Sequence, residues 1–390
     1  MRGSRSRESL LRILQIIPEL SAGGAERTTI DVSAAIIAAG GYSHVIAKGG
    51  RLVEELCANG AEFTAMPVQS KNPFIMRQNR KQIEKLAKEF NADILHARSR
   101  APAWSVRKAC KQTGIPFVTT YHGTYNSSSA LKTFYNSIMA SGDLVIANSK
   151  FIAAHISKEH GTDPSRIRVI PRGLDLAALK PANISQDRID ATANKLSFGQ
   201  DPTVPLIVMP GRLTRWKGQL PMIEAASLLR EQGIKFHLLL PGDAQGRDAY
   251  VTELKQVIKR LGLQDMVSMP GHVSDMAAIY ALSQVVVSAS LEPEAFGRVA
   301  VEGQAAGKPV IATALGGSLE TVRNDETGLL VAPDNPREMA AKLAQILTFT
   351  ENQRLIMGRA GQAWVAGQFS REKMCASTLA VYEELLCEPH

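Results

Sequence analysis

Gln284-Val-Val-Val-Ser-Ala-Ser290 and, shortly after it, Glu294-Ala-Phe-Gly-Arg-Val-Ala-Val-Glu302 place an unbroken apolar run ahead of a loop and a helix start. A short apolar run of this kind has the character of a strand buried on both faces in a parallel sheet. Beyond Gly297, the residues Val299, Ala300, Val301 and Ala305 carry helical spacing. At about 100° per residue, Glu294 and Glu302 differ by roughly 80°, so one continuous helix would not set both carboxylates on one face. The spacing instead predicts Glu294 on the loop and Glu302 just over one turn into the helix. Between them, the turn Phe296-Gly297-Arg298 offers backbone amides at a helix N-terminus, a place suited to phosphate. Such a site fits a phosphate flanked by hydroxyl-rich groups, as in a nucleotide sugar: ribose at one acid, hexose at the other. A solvated glutamate on a loop followed by an ordinary helix reads from these residues alone as well. Their neighbours decide.

Working outward, strand-like runs alternate with helix-like ones along the whole chain, the mark of parallel α/β layers. The first half predicts strands at Arg12–Pro18, Ser43–Lys48, Glu62–Val68, Asp93–Ala97, Pro116–Tyr121, Leu144–Ala147 and Ile167–Pro171. The second predicts them at Pro205–Pro210, Lys235–Pro241, Met266–Met269, Gln284–Ser288, Pro309–Thr313 and Gly328–Val331. Between Gly173 and Pro205 no strand pattern stands out, and Pro181, Pro202 and Pro205 mark a junction. Two domains follow, 1–185 and 186–370. A terminal helix over 371–390 carries an apolar stripe at Met374, Leu379, Tyr382 and Leu386, and is expected to pack on one domain or across both.

With 390 residues and 45% apolar content, the chain can bury two cores. No run approaches the ~20 apolar residues of a membrane span, and the polar N-terminus lacks an export signal, so a cytoplasmic protein is expected. Cys57, Cys110, Cys375 and Cys387 show no metal-binding or disulfide spacing. Charge is uneven: residues 1–185 hold 25 Lys and Arg against 14 Asp and Glu, net +11, leaving the remainder at −3. Arg77, Arg80, Lys81, Lys85 and Lys88 form one basic group, and Arg98, Arg100, Arg107, Lys108 and Lys111 another. An anionic partner for the first half is expected, either an acidic acceptor or an anionic membrane surface touched peripherally. Nucleic acid is not expected, since few aromatics interleave with these cations.

Open parallel sheets bind ligands beyond the carboxyl ends of their strands, where several polar residues fall. Arg212 and Lys217, in Pro210-Gly-Arg-Leu-Thr-Arg-Trp-Lys-Gly218, pair a planar fork with a mobile point charge, a combination that neutralises diphosphate. The chain contains no Asp-x-Asp pair to hold a divalent cation, so no metal and no other cofactor is expected. Gly23-Gly24 opens a helix after the first strand, where the backbone can approach a ligand. His122 ends a strand and can bond a sugar hydroxyl or developing charge. Gly316-Gly317 forms another glycine loop. There is no G-x-G-x-x-G and no Walker motif, which removes the strongest indicators of dinucleotide oxidation and phosphate-loop hydrolysis.

These residues together resemble the retaining glycosyltransferases of family 4, and the resemblance covers nearly the whole chain. It implies an α/β architecture of two facing Rossmann-like domains, the GT-B arrangement, and a hexosyltransferase. Ser290-Leu-Glu-Pro-Glu-Ala-Phe-Gly-Arg298 and Val310-Ile-Ala-Thr-Ala-Leu-Gly-Gly317 look most like lipopolysaccharide core mannosyltransferases. The resemblance further implies that Arg212 and Lys217 hold the donor diphosphate, covered by Gly24. Glu302 would bond the ribose, Glu294 the donor sugar, and His122 would face that sugar. His272 and Val273 would line the base through backbone contacts. The first domain would hold an anionic glycolipid acceptor, with GDP-mannose the expected donor. A UDP-hexose transferase, a nucleotide-sugar epimerase and a non-catalytic nucleotide-sugar-binding protein remain open alternatives; epimerisation needs further acid/base groups that the sequence does not display.

Overall fold

The computed structural model of the chain describes residues 10–21, 23–125, 127–196 and 204–387. Pro202 of the expected junction lies outside them. Among the described residues, thirteen strands form two parallel sheets. The first contains β1 (Arg12–Ile16), β2 (Tyr42–Ala47), β3 (Glu62–Ala65), β4 (Ile94–Ala97), β5 (Phe117–Tyr121), β6 (Leu144–Ala147) and β7 (Ile167–Val169), in the order β3-β2-β1-β4-β5-β6-β7. The second contains β8 (Leu206–Val208), β9 (His237–Leu239), β10 (Val267–Ser268), β11 (Val285–Ser288), β12 (Val310–Thr313) and β13 (Leu329–Val331), in the order β10-β9-β8-β11-β12-β13. Each sheet therefore reverses direction once, at β1/β4 and at β8/β11. Crevices that receive ligands open beyond such switch points.

Strand composition explains the layering. β4, β6, β11 and β12 are buried along their whole length, as helices on both faces require. The two polar interruptions of β1 are both satisfied. Arg12 Nε donates to Phe90 O at 2.7 Å, its guanidinium lying 4.2 Å from the Tyr42 ring centre. Gln15 is fully buried, donating to Ser33 Oγ at 2.7 Å and accepting from Arg98 Nε at 2.7 Å.

The described residues group into two units, divided after Gly173 and again after Ser370, with the stretch from Arg371 belonging to the first unit. This moves the boundary from the expected 185/186. Leu174 packs with Phe296, Val301 and Phe369, while Leu179 and Ile184 pack against Ala277 and Ala278, so residues 174–185 belong to the second core. The closing helix Arg371–Cys387 completes the first core instead: Met374, Cys375, Val381, Tyr382 and Leu385 bury against Ile13, Val32, Ile36 and Ile94. Leu379 and Leu386 only flank this face. Among the described residues no helix is long and apolar enough to cross a membrane.

Candidate active site

In the second unit the loops leaving β8, β11 and β12 are stitched together. Gly218 adopts φ +79° at the start of the helix Gln219–Glu231, and any side chain there would overlap the carbonyl of Ala289. That close approach holds the β8 loop on the β11 loop, and Leu291 N donates to Trp216 O at 2.7 Å. Glu294 and Lys217 meet as a result: Lys217 Nζ lies 2.7 Å from Glu294 Oε1, with both side chains largely shielded from water. Ser290 Oγ also donates to Glu294 Oε1. From the β12 side, Gly317 N donates to Glu294 O at 2.8 Å. A Cβ on Gly316 would stand 2.5 Å from that same oxygen, and one on Gly317 2.6 Å from Phe296 backbone. These two glycines let one loop lie on the other.

Glu302 stands in the helix Arg298–Ala305, whose N-cap is Gly297 at φ +81° with no capping side chain. Arg298 Nε donates to Glu302 Oε1 at 2.6 Å and Tyr280 hydroxyl to Oε2 at 2.7 Å. Burial, with the Glu302 charge beside it, pushes the Tyr280 phenol well above its ordinary value, so it stays a donor. Arg212 is exposed and, among the described residues, makes no ion pair; its carbonyl accepts from Gln219 Nε2 at 3.0 Å. A guanidinium and a helix N-terminus are both suited to phosphate. His272 is exposed on the loop after β10, and Val273 packs beside Leu206 and Leu239. The Phe296 ring is buried against Phe369, centroids 5.4 Å apart, while its backbone leads into the turn at Gly297.

In the first unit, His122 follows β5 and both of its ring nitrogens are shielded from water. Burial lowers its pKa well below the ordinary histidine value. The charges of Arg172 and Arg98 push the same way, opposed by the Arg98 backbone. A neutral imidazole results, able to donate at one nitrogen and accept at the other. Gly23 has φ +143°, and a side chain on Gly24 would overlap the Arg172 guanidinium. The structure thus groups Gly24, Arg172, Arg98 and His122 beyond the strand ends of the first sheet.

Of this group, Arg172 was not singled out from the sequence, and Arg98 was read only as one of a basic group. Arg98 and Arg172 each lie shortly past a strand's carboxyl end, the criterion that selects His122. Arg98 is fully buried, with Nη2 lacking a partner. Tyr280 and Ser290, which hold Glu302 and Glu294, read in the sequence only as helix and strand-end residues.

Comparison with known proteins shows the family and the fold. The family model "Glycosyl transferases group 1" matches residues 190–364, and "Glycosyltransferase Family 4" matches 22–178. A glycosyltransferase crystal structure from Rickettsia africae is 37% identical, with a TM-score of 0.89 over 97% of this chain and 99% of that one. The Anabaena protein Alr3699/HepE, solved in complex with UDP-glucose, is 24% identical, with a TM-score of 0.79 over 95% of this chain and 99% of that one. Among curated relatives, a D-inositol 3-phosphate glycosyltransferase of Segniliparus rotundus is 32% identical over 64% of this chain and 54% of its own length. The chain thus spans about half the length of the first curated relatives it matches. The fold is GT-B, and the chain belongs to the glycosyltransferases with family 4 and group 1 domains.

Proposed function

We propose that this chain moves a hexose from a nucleoside-diphosphate sugar onto an anionic, hydroxylated acceptor, with retention at the anomeric carbon and no resident metal. The observation that carries the reading is the shielded Lys217–Glu294 pair at the β8/β11 switch point. Without donor, each partner compensates the other's charge. A bound diphosphate would give Lys217 a second anion, freeing Glu294 oxygens for sugar hydroxyls. Arg212 adds charge in the same loop and Glu302 accepts ribose hydroxyls. The bond from the anomeric carbon to the diphosphate oxygen breaks with its electron pair going to that oxygen. The acceptor hydroxyl oxygen bonds the same carbon and its proton passes to the departing diphosphate oxygen. Preorganised cations stabilise the departing charge, and neutral His122 bonds the donor sugar. Retention rests on the family resemblance.

Within that class we assign GDP-mannose as donor and a lipopolysaccharide inner core as acceptor, on the likeness of Ser290–Arg298 and Val310–Gly317 to core mannosyltransferases. A second reading draws on the curated relatives, whose acceptor by name is a phosphorylated polyol. UDP-glucose, which the Anabaena protein binds, is the donor to set against GDP-mannose. Either acceptor suits the positive balance of the first half, as does cytoplasmic residence with peripheral attachment to the inner membrane. A nucleotide-release screen of GDP-mannose, UDP-glucose and UDP-galactose, each with truncated core glycolipid or inositol 3-phosphate, tests the assignment. Release above the acceptor-free rate in one combination supports transfer. A new nucleotide sugar without acceptor would reveal an epimerase, and tight nucleotide binding without turnover a non-catalytic protein.

A further inference from the structure

Glu302 is held at both oxygens, and the two holders are unlike. Arg298 Nε, 2.6 Å from Oε1, belongs to a side chain 57% exposed, one turn away on the same helix. The Tyr280 hydroxyl, 2.7 Å from Oε2, comes from a different element and from a residue with no exposed surface. Its ring packs among Val286, Ala300, Val310, Ala312 and Val322 in the second unit. An exposed ion pair fixes geometry weakly, since two long side chains resist being held. A phenol oxygen carried on a close-packed ring stays where the ring puts it. Among the described residues, that hydroxyl makes no other hydrogen bond.

An ionised carboxylate offers about four lone-pair sites. Tyr280 and Arg298 take one on each oxygen, and among the described residues the Glu302 side chain makes no further hydrogen bond. One site on each oxygen is left, on a side chain that keeps 14% of its surface open. Two adjacent acceptors on one fixed carboxylate match two neighbouring hydroxyls, the cis-diol of a ribose. Without the phenol bond, the carboxylate is free to turn about its last bond toward Arg298, and the two acceptors leave the positions a diol needs. Tyr280 stands on the helix Met276–Leu282, whose N-cap Asp275 accepts from Ala278 N at 3.1 Å. Arg188 grips that cap, with Nη2 2.7 Å from Oδ1. His272 and Val273 come just ahead of it. One short helix thus closes the loop assigned to the base and carries the group that sets the ribose acid.

We propose that Tyr280 is the positioning residue for the donor ribose, its hydroxyl fixing Glu302 so that the carboxylate receives both ribose hydroxyls. This rests on the reading of Glu302 as the ribose acid. It goes beyond that reading in making the choice of a ribonucleotide depend on a wholly buried phenol that acts through the carboxylate.

The test titrates the full chain by calorimetry with ribo- and 2′-deoxyribonucleotides: UDP against 2′-deoxy-UDP, or GDP against 2′-deoxy-GDP, whichever base binds. The native chain should prefer the ribonucleotide about tenfold or more, as a hydrogen bond to a charged group warrants. Tyr280→Phe keeps the ring. It should weaken the ribonucleotide about five- to tenfold while holding the deoxynucleotide within about twofold. Retained deoxynucleotide affinity reports an intact fold, and a merely structural role would weaken both alike. Glu302→Ala should erase the preference, and Tyr280→Phe added to it should change neither affinity further. Equal weakening of both nucleotides by Tyr280→Phe, or an unchanged preference, overturns the positioning role alone. A native chain without preference, or a preference that survives Glu302→Ala, sinks the ribose reading and the proposal with it. Donor turnover in either case leaves the transferase reading standing.

Discussion

Arg212 and Lys217 occupy one loop, yet they make different experimental probes. Arg212 is exposed and, among the described residues, without an ion pair, so Arg212→Ala removes a phosphate donor and little else. Turnover should fall roughly 10²–10³-fold with an unchanged urea midpoint; near-normal turnover would refute its role at the diphosphate. Lys217→Ala is a compound lesion. It leaves Glu294 shielded from water with only hydroxyl donors, and breaking a buried pair in this way costs about 3 kcal/mol or more. Its urea midpoint should drop clearly, and Lys217→Ala/Glu294→Gln should recover part of that loss while staying inactive. A double variant no more stable than Lys217→Ala would mean the pair is not electrostatically coupled. Residue chemistry of this kind was legible in the sequence as types placed after strands. The partnership itself was not, because Lys217 and Glu294 stand 77 positions apart and meet through the Gly218–Ala289 and Trp216–Leu291 contacts.

At the scale of elements, periodicity and strand-end logic carry far. The thirteen strands among the described residues lie within the expected runs or one residue beyond them, the ends being shorter because flanking residues such as Pro18, Pro171, Pro210 and Pro241 have no N–H to donate to the ladder. Parallel burial leaves a plain apolar signature, which made them readable. What stayed hidden depends on non-local packing. Leu174 to Ile184 form only isolated turns, and nothing local shows that they lie on Phe296, Phe369 and Ala278. Gly218 is the element-scale counterpart of the ion pair. Its substitution by Ala meets both a left-handed φ and the Ala289 carbonyl, and backbone strain alone costs about 1–3 kcal/mol. Gly218→Ala should therefore lower the midpoint of the second unit and weaken nucleotide binding, whereas Gly233→Ala, at φ +75° with open space, should lower stability and spare the nucleotide. Equal nucleotide loss in both would show that loop contact does not position the site.

For the whole molecule, the closing helix ties the last residues of the chain to the first sheet through a polar core. Tyr382 hydroxyl and His96 Nδ1 are 2.7 Å apart, and His96 Nε2 lies 2.7 Å from Thr120 Oγ1, all buried. Burial holds the His96 pKa well below the ordinary value, with the Arg98 and His122 charges acting alike; His44 and His122 are also lowered, chiefly by burial. The sign follows from proton counting. Below the unfolded value of about 6.5, the unfolded chain binds protons that these folded rings refuse, so stability falls as pH drops through that region. The carboxylates of Asp275 and Glu384, lowered mainly by hydrogen bonds from Arg188 and Arg168, add to the loss only at still lower pH. Glu26, raised by burial, works against it there. Lys308, pulled down to about 8 by burial, makes stability fall as pH drops from about 10 towards 8. Urea midpoints should thus level off near pH 7 and decline again between about pH 6.5 and 5.5. Exchanging His96 for a residue that cannot titrate tests the cause. His96→Gln loses some stability at every pH but should flatten the decline, while Tyr382→Phe, which removes a hydrogen bond worth about 1 kcal/mol, should lower the curve and keep its slope. An unaltered slope in His96→Gln would place the proton uptake elsewhere.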